Sequence, residues 1–270
     1  MSPGESSDSG SFSPGEAGFP RPGYCVVLFS LPDDPHEMRD MLVKTLGLHP
    51  SDAQIAVRSS PGVLPMRLEQ AQAAALVSSA AELGVAAAAL PESEVPDFEH
   101  GEIVHHLRCV EEGIEVIDFH GRSTDLVPWS CLRVMSIGHV SGERTSDFLV
   151  EPSATSGLAP RLRFPPTDSA VHTGLEAWLV RGNPWAGLRI NANQMNYEYL
   201  GDRKTDSASK NFGMFIADVL HRTPLIYLTP ASRAFLEHSL VRHYEFHSAD
   251  ELRRYTQFHA ILAQQTAGRK

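Results

Sequence analysis

Cysteine is scarce in this chain. The three that occur, Cys25, Cys109 and Cys131, lie far apart, each inside an apolar or strand-like run. A sparse, odd set is no disulfide framework and suits a reducing compartment. Long apolar runs are missing as well. The longest, such as residues 85–90, fall far short of the roughly 20 residues that cross a bilayer as a helix, so no membrane span is expected. Residues 1–23 (MSPGESSDSGSFSPGEAGFPRPG) have neither the basic nor the apolar region of a signal peptide. The expected location is the cytoplasm. Familiar signatures of chemistry are absent too: there is no G-x-S-x-G elbow, no Walker loop and no G-x-G-x-x-G. Positive charge is also in short supply, with 23 Lys and Arg against 33 Asp and Glu, a formal balance of −10. Without a basic excess to displace counterions from phosphate, general nucleic-acid binding is not expected.

What the chain does have is the composition of a folded protein, 42% hydrophobic and 21% charged over 270 residues. That length suits one large domain or two ordinary ones. The charge is unevenly spread. Residues 1–100 carry 5 Lys and Arg against 14 Asp and Glu, a balance of −9, which leaves −1 for the remainder. An acidic front and a near-neutral rear argue for two units.

Residues 1–23, rich in Ser, Gly, Pro and Glu, cannot bury enough apolar surface to offset their ordering entropy and read as a disordered tail. Residues 24–31 (YCVVLFSL) read as a strand. Pro32 and Pro35 end it and open a helix whose apolar positions Met38, Met41, Leu42 and Leu46 share one face, with Gly47 as its stop. Ser51 and Asp52 open a short second helix that Pro61 and Gly62 close. Residues 63–68 are extended, 69–83 form an Ala-rich helix ended by Gly84, and 85–90 form a strand. Residues 91–102 (PESEVPDFEHGE) have the proline and acid content of a linker.

A second unit, residues 103–270, begins with two alternating runs, 103–110 and 114–119, around Glu111-Glu112-Gly113, a hairpin signal. Residues 129–140 are strand-like, 142–166 loop-like, and 187–190 extended. Residues 207–223 are amphipathic through Phe212, Phe215, Ile216, Val219 and Leu220. Thr229-Pro230 starts a short helix, and Ser248 with Glu251 forms a capping box before a last helix bearing Leu252, Tyr255, Phe258, Ile261 and Leu262. The expected class is α+β: a small α/β sandwich, then a mixed domain with antiparallel strands and C-terminal helices.

Thr45, Leu46, Gly47 and Leu48, then Ala53, Val57 and Pro61, then Ala71, Leu76, Leu83 and Gly84 follow a recognisable order of elements. On these residues, the segment 24–90 resembles the C-terminal domain of the bacterial ribosomal stalk protein. The N-degron adaptor of the Clp protease has the same fold, and Asp33-Asp34 match its acidic turn. The stalk resemblance implies recruitment of a partner protein through lysines and glycines around the first two helices, which here selects Lys44 and Gly47, with Arg58 ending the second helix. His49-Pro50 and Gln54 depart from that pattern; the latter replaces a customary lysine and removes attraction for an acidic partner. Arg58 stands where the adaptor has its ligand-binding histidine, a cation facing a cationic ligand. The hairpin and strand of the second unit resemble, loosely, a β-domain of pleckstrin-homology type.

Side chains able to do chemistry are then weighed. His105-His106 with Cys109 bring metal-ligand types together, but adjacent strand residues point to opposite faces. His243 and His247 are four apart where no continuous helix is expected. A closed zinc site needs four ligands, so no metal is expected. Ser207-Ala-Ser-Lys210 matches S-x-x-K at a helix start, yet the same residues make an ordinary N-cap. The densest polar and aromatic cluster lies in residues 191–211. Asn196, Tyr197, Arg203 and Asn211 are its candidate binding residues, with Arg203 bearing the charge. No cofactor and no catalytic set is expected. The favoured function is a non-enzymatic interaction or adaptor protein with an unidentified protein partner, using Lys44 and Arg58. The alternative is a hydrolase-type enzyme or ligand-binding protein with its site in the 191–211 loop. Oligomeric state is left open.

Overall fold

The computed structural model of the chain describes residues 23–58, 60–98, 102–118, 120–142, 174–182 and 184–267. The tail assigned to 1–23, Gly23 apart, and the loop assigned to 142–166, Gly142 apart, lie outside the described residues. The class is α+β.

The first unit runs β1 (Tyr24–Leu28), α1 (Pro35–Leu46), α2 (Pro50–Arg58), β2 (Gly62–Val63), α3 (Gln70–Glu82) and β3 (Ala87–Pro91). Local chemistry sets these boundaries. Asp34 accepts the His36 N–H and Pro35 occupies the first turn of α1, while Gly47 at φ 66° closes it through a hydrogen bond to the Val43 carbonyl. The three strands form an antiparallel sheet in the order β2-β1-β3. Alternation along β1 sends Val26 and Leu28 toward the helices, where they meet Met38, Leu42, Leu76 and Ala80 in one buried core. Val27 and Phe29 point to the opposite face.

The second unit continues with β4 (Glu102–Ile103), β5 (Leu107–Cys109), β6 (Gly113–Ile117), β7 (Ser123–Pro128), β8 (Leu132–Val140), β9 (Gly174–Arg181), β10 (Ala186–Asn191), α4 (Ala208–Arg222), β11 (Tyr227–Leu228), α5 (Pro230–Leu236), β12 (Glu245–Phe246) and α6 (Ala249–Ala267). β5, β6 and β7 form an antiparallel meander. The larger sheet has the order β11-β8-β9-β10-β4, with β12 also paired to β8. β8, β9 and β10 are antiparallel, whereas β11 and β12 lie parallel to β8 and β4 lies parallel to β10.

The run 103–110, read as one strand, divides. The Val104 N–H donates to the Arg189 carbonyl in the large sheet, while two residues on the His106 carbonyl accepts from Ile117 in the meander. The chain crosses between sheets there, and each half takes its own partner. Phe212, Phe215, Ile216 and Val219 of α4 are buried with Met135, Ile137, Leu179 and Val116, filling the space between the two sheets.

α6 has two apolar faces. Leu252, Tyr255, Ala260 and Ala263 pack with Val134, Val140, Trp178 and Val180 of the large sheet. Phe258, Ile261 and Leu262 pack with Val27, Phe29, Val63 and Leu90 of the first unit. The Phe29 and Phe258 rings are 6.1 Å apart, and the Gln257 side chain donates to the Pro96 carbonyl at 2.7 Å. One helix therefore covers the second face of the small sheet and joins it to the large one. The acidic stretch 91–102 is anchored along the way: Pro91 ends β3, Phe98 is buried beside Trp178, and Glu102 begins β4.

Candidate functional site

The 191–211 loop folds onto itself, and each of its candidate residues takes a different partner. Tyr197 is buried and its hydroxyl donates to the Ala192 carbonyl at 2.8 Å. Asn196 accepts the Glu198 N–H through its side-chain oxygen and places its amide nitrogen 2.7 Å from His106 Nε2. Asn211, on the first turn of α4, accepts the Thr205 N–H at 2.8 Å and returns its own N–H to the Thr205 carbonyl at 2.8 Å. These are turn closures of the kind that Asn and Tyr supply wherever a connector carries buried backbone polar groups. They hold the entrance to α4, whose Ser207 hydroxyl accepts the Lys210 N–H at 3.3 Å. In the S-x-x-K stretch the serine is thus the helix cap, and Lys210 is exposed.

Arg203 makes a two-pronged bond to Asp218 of α4, at 2.9 and 2.8 Å. That hydrogen bond holds the Asp218 carboxyl below its usual range, against the opposing effect of burial, and raises the guanidinium in return. Tyr199 reaches the same carboxylate at 3.4 Å, and burial pushes its phenol up. Cys109 completes the group. Burial first, and Asp218 second, push its thiol up to about 12. A thiol held protonated is a poor nucleophile, and the Arg203 and Tyr199 bonds to Asp218 fasten the loop to α4.

Lys44 and Arg58 belong to the first unit, at the last turns of α1 and α2, and both are exposed. His243 and His247 are separated by β12. Among the described residues no group of three or more His, Cys, Asp or Glu gathers as metal ligands do. Among the described residues, too, no helix is long and apolar enough to cross a membrane.

The feature that composition did not single out is the outer edge of β3. Phe29 N–H donates to the Ala86 carbonyl at one end of the β1–β3 pair and Glu92 N–H to the Gly23 carbonyl at the other, both at 2.8 Å. In an antiparallel ladder, alternate residues bond to a given side. The register, with Val27 opposite Ala88 and Cys25 opposite Leu90, therefore turns residues 86, 88, 90 and 92 toward β1. Ala87 and Ala89 direct their N–H and C=O groups away from it. Among the described residues no other strand pairs with β3. Edge strands ordinarily carry charge, a bulge or proline against unwanted pairing; here three alanines and Leu90 carry no charge and only Pro91, at the end, is a proline.

Beside this edge lies a hollow of about 180 Å3, lined by Leu90 and Glu94 from one side and by Ile261, Gln264 and Gln265 of α6 from the other. The helix that covers the sheet face thus also builds a wall next to the open strand. The sequence signal for this site is faint: a strand of small residues with no charge, and a terminal helix whose apolar positions exceed one face. A scan against protein-family models finds no match to the chain, and searches of curated proteins and of solved structures find none either.

Proposed function

We propose that this chain is a non-enzymatic interaction protein that takes up an extended segment of a partner protein along the outer edge of β3. The observation that carries the reading is the outward-facing backbone of Ala87 and Ala89 beside the Leu90–Ile261 hollow. A strand added to a sheet edge draws its affinity from main-chain hydrogen bonds and its specificity from side-chain pockets next to the edge. Both parts are present. The segment fitting them is extended, offers an apolar side chain to the hollow, and carries basic residues, because Glu94 sits on the rim and residues 1–100 hold the −9 balance.

The order β-α-α-β-α-β of residues 24–91 is the order that a stalk-like module implies, and it supports keeping that resemblance within the proposal. Exposed Lys44 and Arg58 remain available for a second contact by α1 and α2. The enzyme reading has less behind it, since Asn196, Tyr197, Arg203 and Asn211 each already bond to another residue of the chain. The setting proposed is the cytoplasm, whose reducing conditions suit a chain with so few cysteines.

Ala89→Pro tests the reading. Proline removes one outward donor and is tolerated on the outer side of an edge strand, so the β1 ladder stays whole. Extended peptides selected against the full chain from a random display library serve as the probe. Wild type is expected to bind them about tenfold or more tightly than Ala89→Pro, the cost of one hydrogen bond plus the clash of the ring. Equal binding by the two proteins, with matched thermal unfolding, removes the proposal.

A further inference from the structure

The β3 edge has a second wall. Residues directly opposite in an antiparallel pair point to the same face of the sheet. Ala87 and Ala89 lie opposite Leu28 and Val26, and they too face the helices, packed against the core of the first unit. Ala88, opposite Val27, and Leu90 face α6. A segment laid along the outer side of β3 continues this alternation. Its successive side chains therefore enter two environments, the Leu90–Ile261 hollow on the α6 side and the flank of α3 on the other.

Helical geometry decides which flank that is. α3 buries Ala73, Leu76 and Ala80, and its Ser79 hydroxyl accepts from Thr45 of α1 at 3.2 Å. Successive residues turn by about 100°, so the flank opposite Ser79 carries Ala74, Val77 and Ala81. α3 packs on β3 and β1 with α1 at its side, which sets that flank over the outer edge of β3. Ala74 and Ala81 are exposed and Val77 is half-buried. With Ala87 and Ala89 they make a shallow, uncharged shelf. Short side chains on both helix and strand leave room that a large one fills to ordinary packing density. Charge stands at the margin instead, with Glu94 beside the hollow and a balance of −9 over residues 1–100.

We propose that the partner segment is apolar on both of its faces. A bulky side chain beside Ala87 or Ala89 sits on Ala74, Val77 and Ala81, and its neighbour in sequence fills the hollow against Leu90 and Ile261. Basic residues flank this core at the end near Glu94, where charge is matched. The specificity rests on β3 serving as the docking edge. A surface strand that alternates apolar with polar satisfies one wall and leaves a polar group against the other. Consecutive apolar residues, the pattern of a strand buried on both faces, satisfy both.

Two fluorescein-labelled peptides, RKVLVLG and RKVSVSG, separate these cases by fluorescence anisotropy on the full chain. They share the basic end and one valine face, and a shift of register lets the second offer that face to either wall but never to both. RKVLVLG is expected to bind about tenfold or more tightly, the gain from burying a leucine. Ala74→Glu places a carboxylate on the shelf and should weaken RKVLVLG by a similar factor. Ala75→Glu adds the same charge one residue on, at an exposed position outside that flank, and should change it little. The proposal is overturned if RKVSVSG binds as tightly, if folded Ala74→Glu and Ala75→Glu bind RKVLVLG alike, or if RKVLVLG fails to bind at millimolar concentration. Ala89→Pro distinguishes the two levels. Binding that Ala89→Pro weakens without any preference between the peptides keeps β3 as the docking edge and overturns the two-faced specificity alone. Binding indifferent to Ala89→Pro removes both. The peptide comparison is made on wild type, so a variant that fails to fold leaves it intact.

Discussion

Glu176→Leu is expected to lower the unfolding free energy by about 3–5 kcal/mol, because it strands a cation inside the large sheet. Glu176 on β9 is fully buried. It receives Arg189 Nε at 2.8 Å and a second guanidinium nitrogen at 3.0 Å, and Trp178 Nε1 at 3.2 Å. The β9–β10 register explains the meeting. Asn191 lies directly opposite Glu176, and Arg189 opposite Trp178, so the ion pair is the diagonal between the two rows. Loss of the carboxylate leaves three donors without an acceptor. Arg189 is 17% exposed and can turn partly toward water, which sets this variant toward the lower end of the range. Arg189→Leu leaves a carboxylate with no exposure at all and is expected to cost more. The double variant Glu176→Leu, Arg189→Leu removes both charges, and its urea midpoint should lie closer to wild type than that of either single variant. A double variant no more stable than the singles would mean that shape, and not the uncompensated charge, dominates the loss.

Acid sensitivity is the second large effect. His259 on α6 is buried, and burial pushes its pKa from the usual 6.5 down to about 4. The Tyr255 ring lies 4.4 Å away, edge-on, and Tyr227 shares a hydrogen bond with Nδ1 at 3.0 Å. The folded state therefore keeps the imidazole neutral while the unfolded chain protonates it near 6.5. Between those values the unfolded state binds more protons, so stability rises with pH. The contribution is complete above about 6.5 and is lost as pH falls toward 4, amounting to about 2–3 kcal/mol by pH 4.5. Asp218, held low by Arg203, loses its own contribution only below the usual carboxylate value of 3.8, which separates the two windows. His259→Phe forgoes the Tyr227 bond and is expected to be less stable at pH 7, yet to lose much less between pH 7 and pH 4.5. The same slope in variant and wild type would place the acid sensitivity elsewhere.

These two sites mark the limit of sequence reading here. Helices were legible where one periodic face met one core, as in α1 through Met38, Met41, Leu42 and Leu46, and in α4 through Phe212, Phe215, Ile216 and Val219. α6 was legible as a helix, but not as a bridge. Its Phe258, Ile261 and Leu262 form a second stripe that has meaning only once the small sheet is known to lie against it. β9 was not legible, because Glu176 and Arg181 break an apolar strand pattern, and burial of the former depends on a diagonal partner set by register. β7, with the composition STDLVP, has too little apolar character to announce itself.

The candidate residues show the same division. Asn196, Tyr197 and Asn211 have the side chains of a binding loop, and the same side chains close a buried turn; only their partners distinguish the cases. The β3 edge is the converse. Ala87 and Ala89 have no side-chain chemistry, and what they offer is backbone, whose direction follows from the register with β1.

The most direct test of the β3 edge as a docking strand is residue-resolved amide exchange, free and with a selected extended peptide bound. In the free protein, the amides of Ala88 and Leu90, which face β1, should exchange slowly and those of Ala87 and Ala89 fast. Bound peptide should protect Ala87 and Ala89 and leave the other two as they were. A peptide that binds without slowing either amide, or a free protein in which all four are already protected alike, would contradict the account.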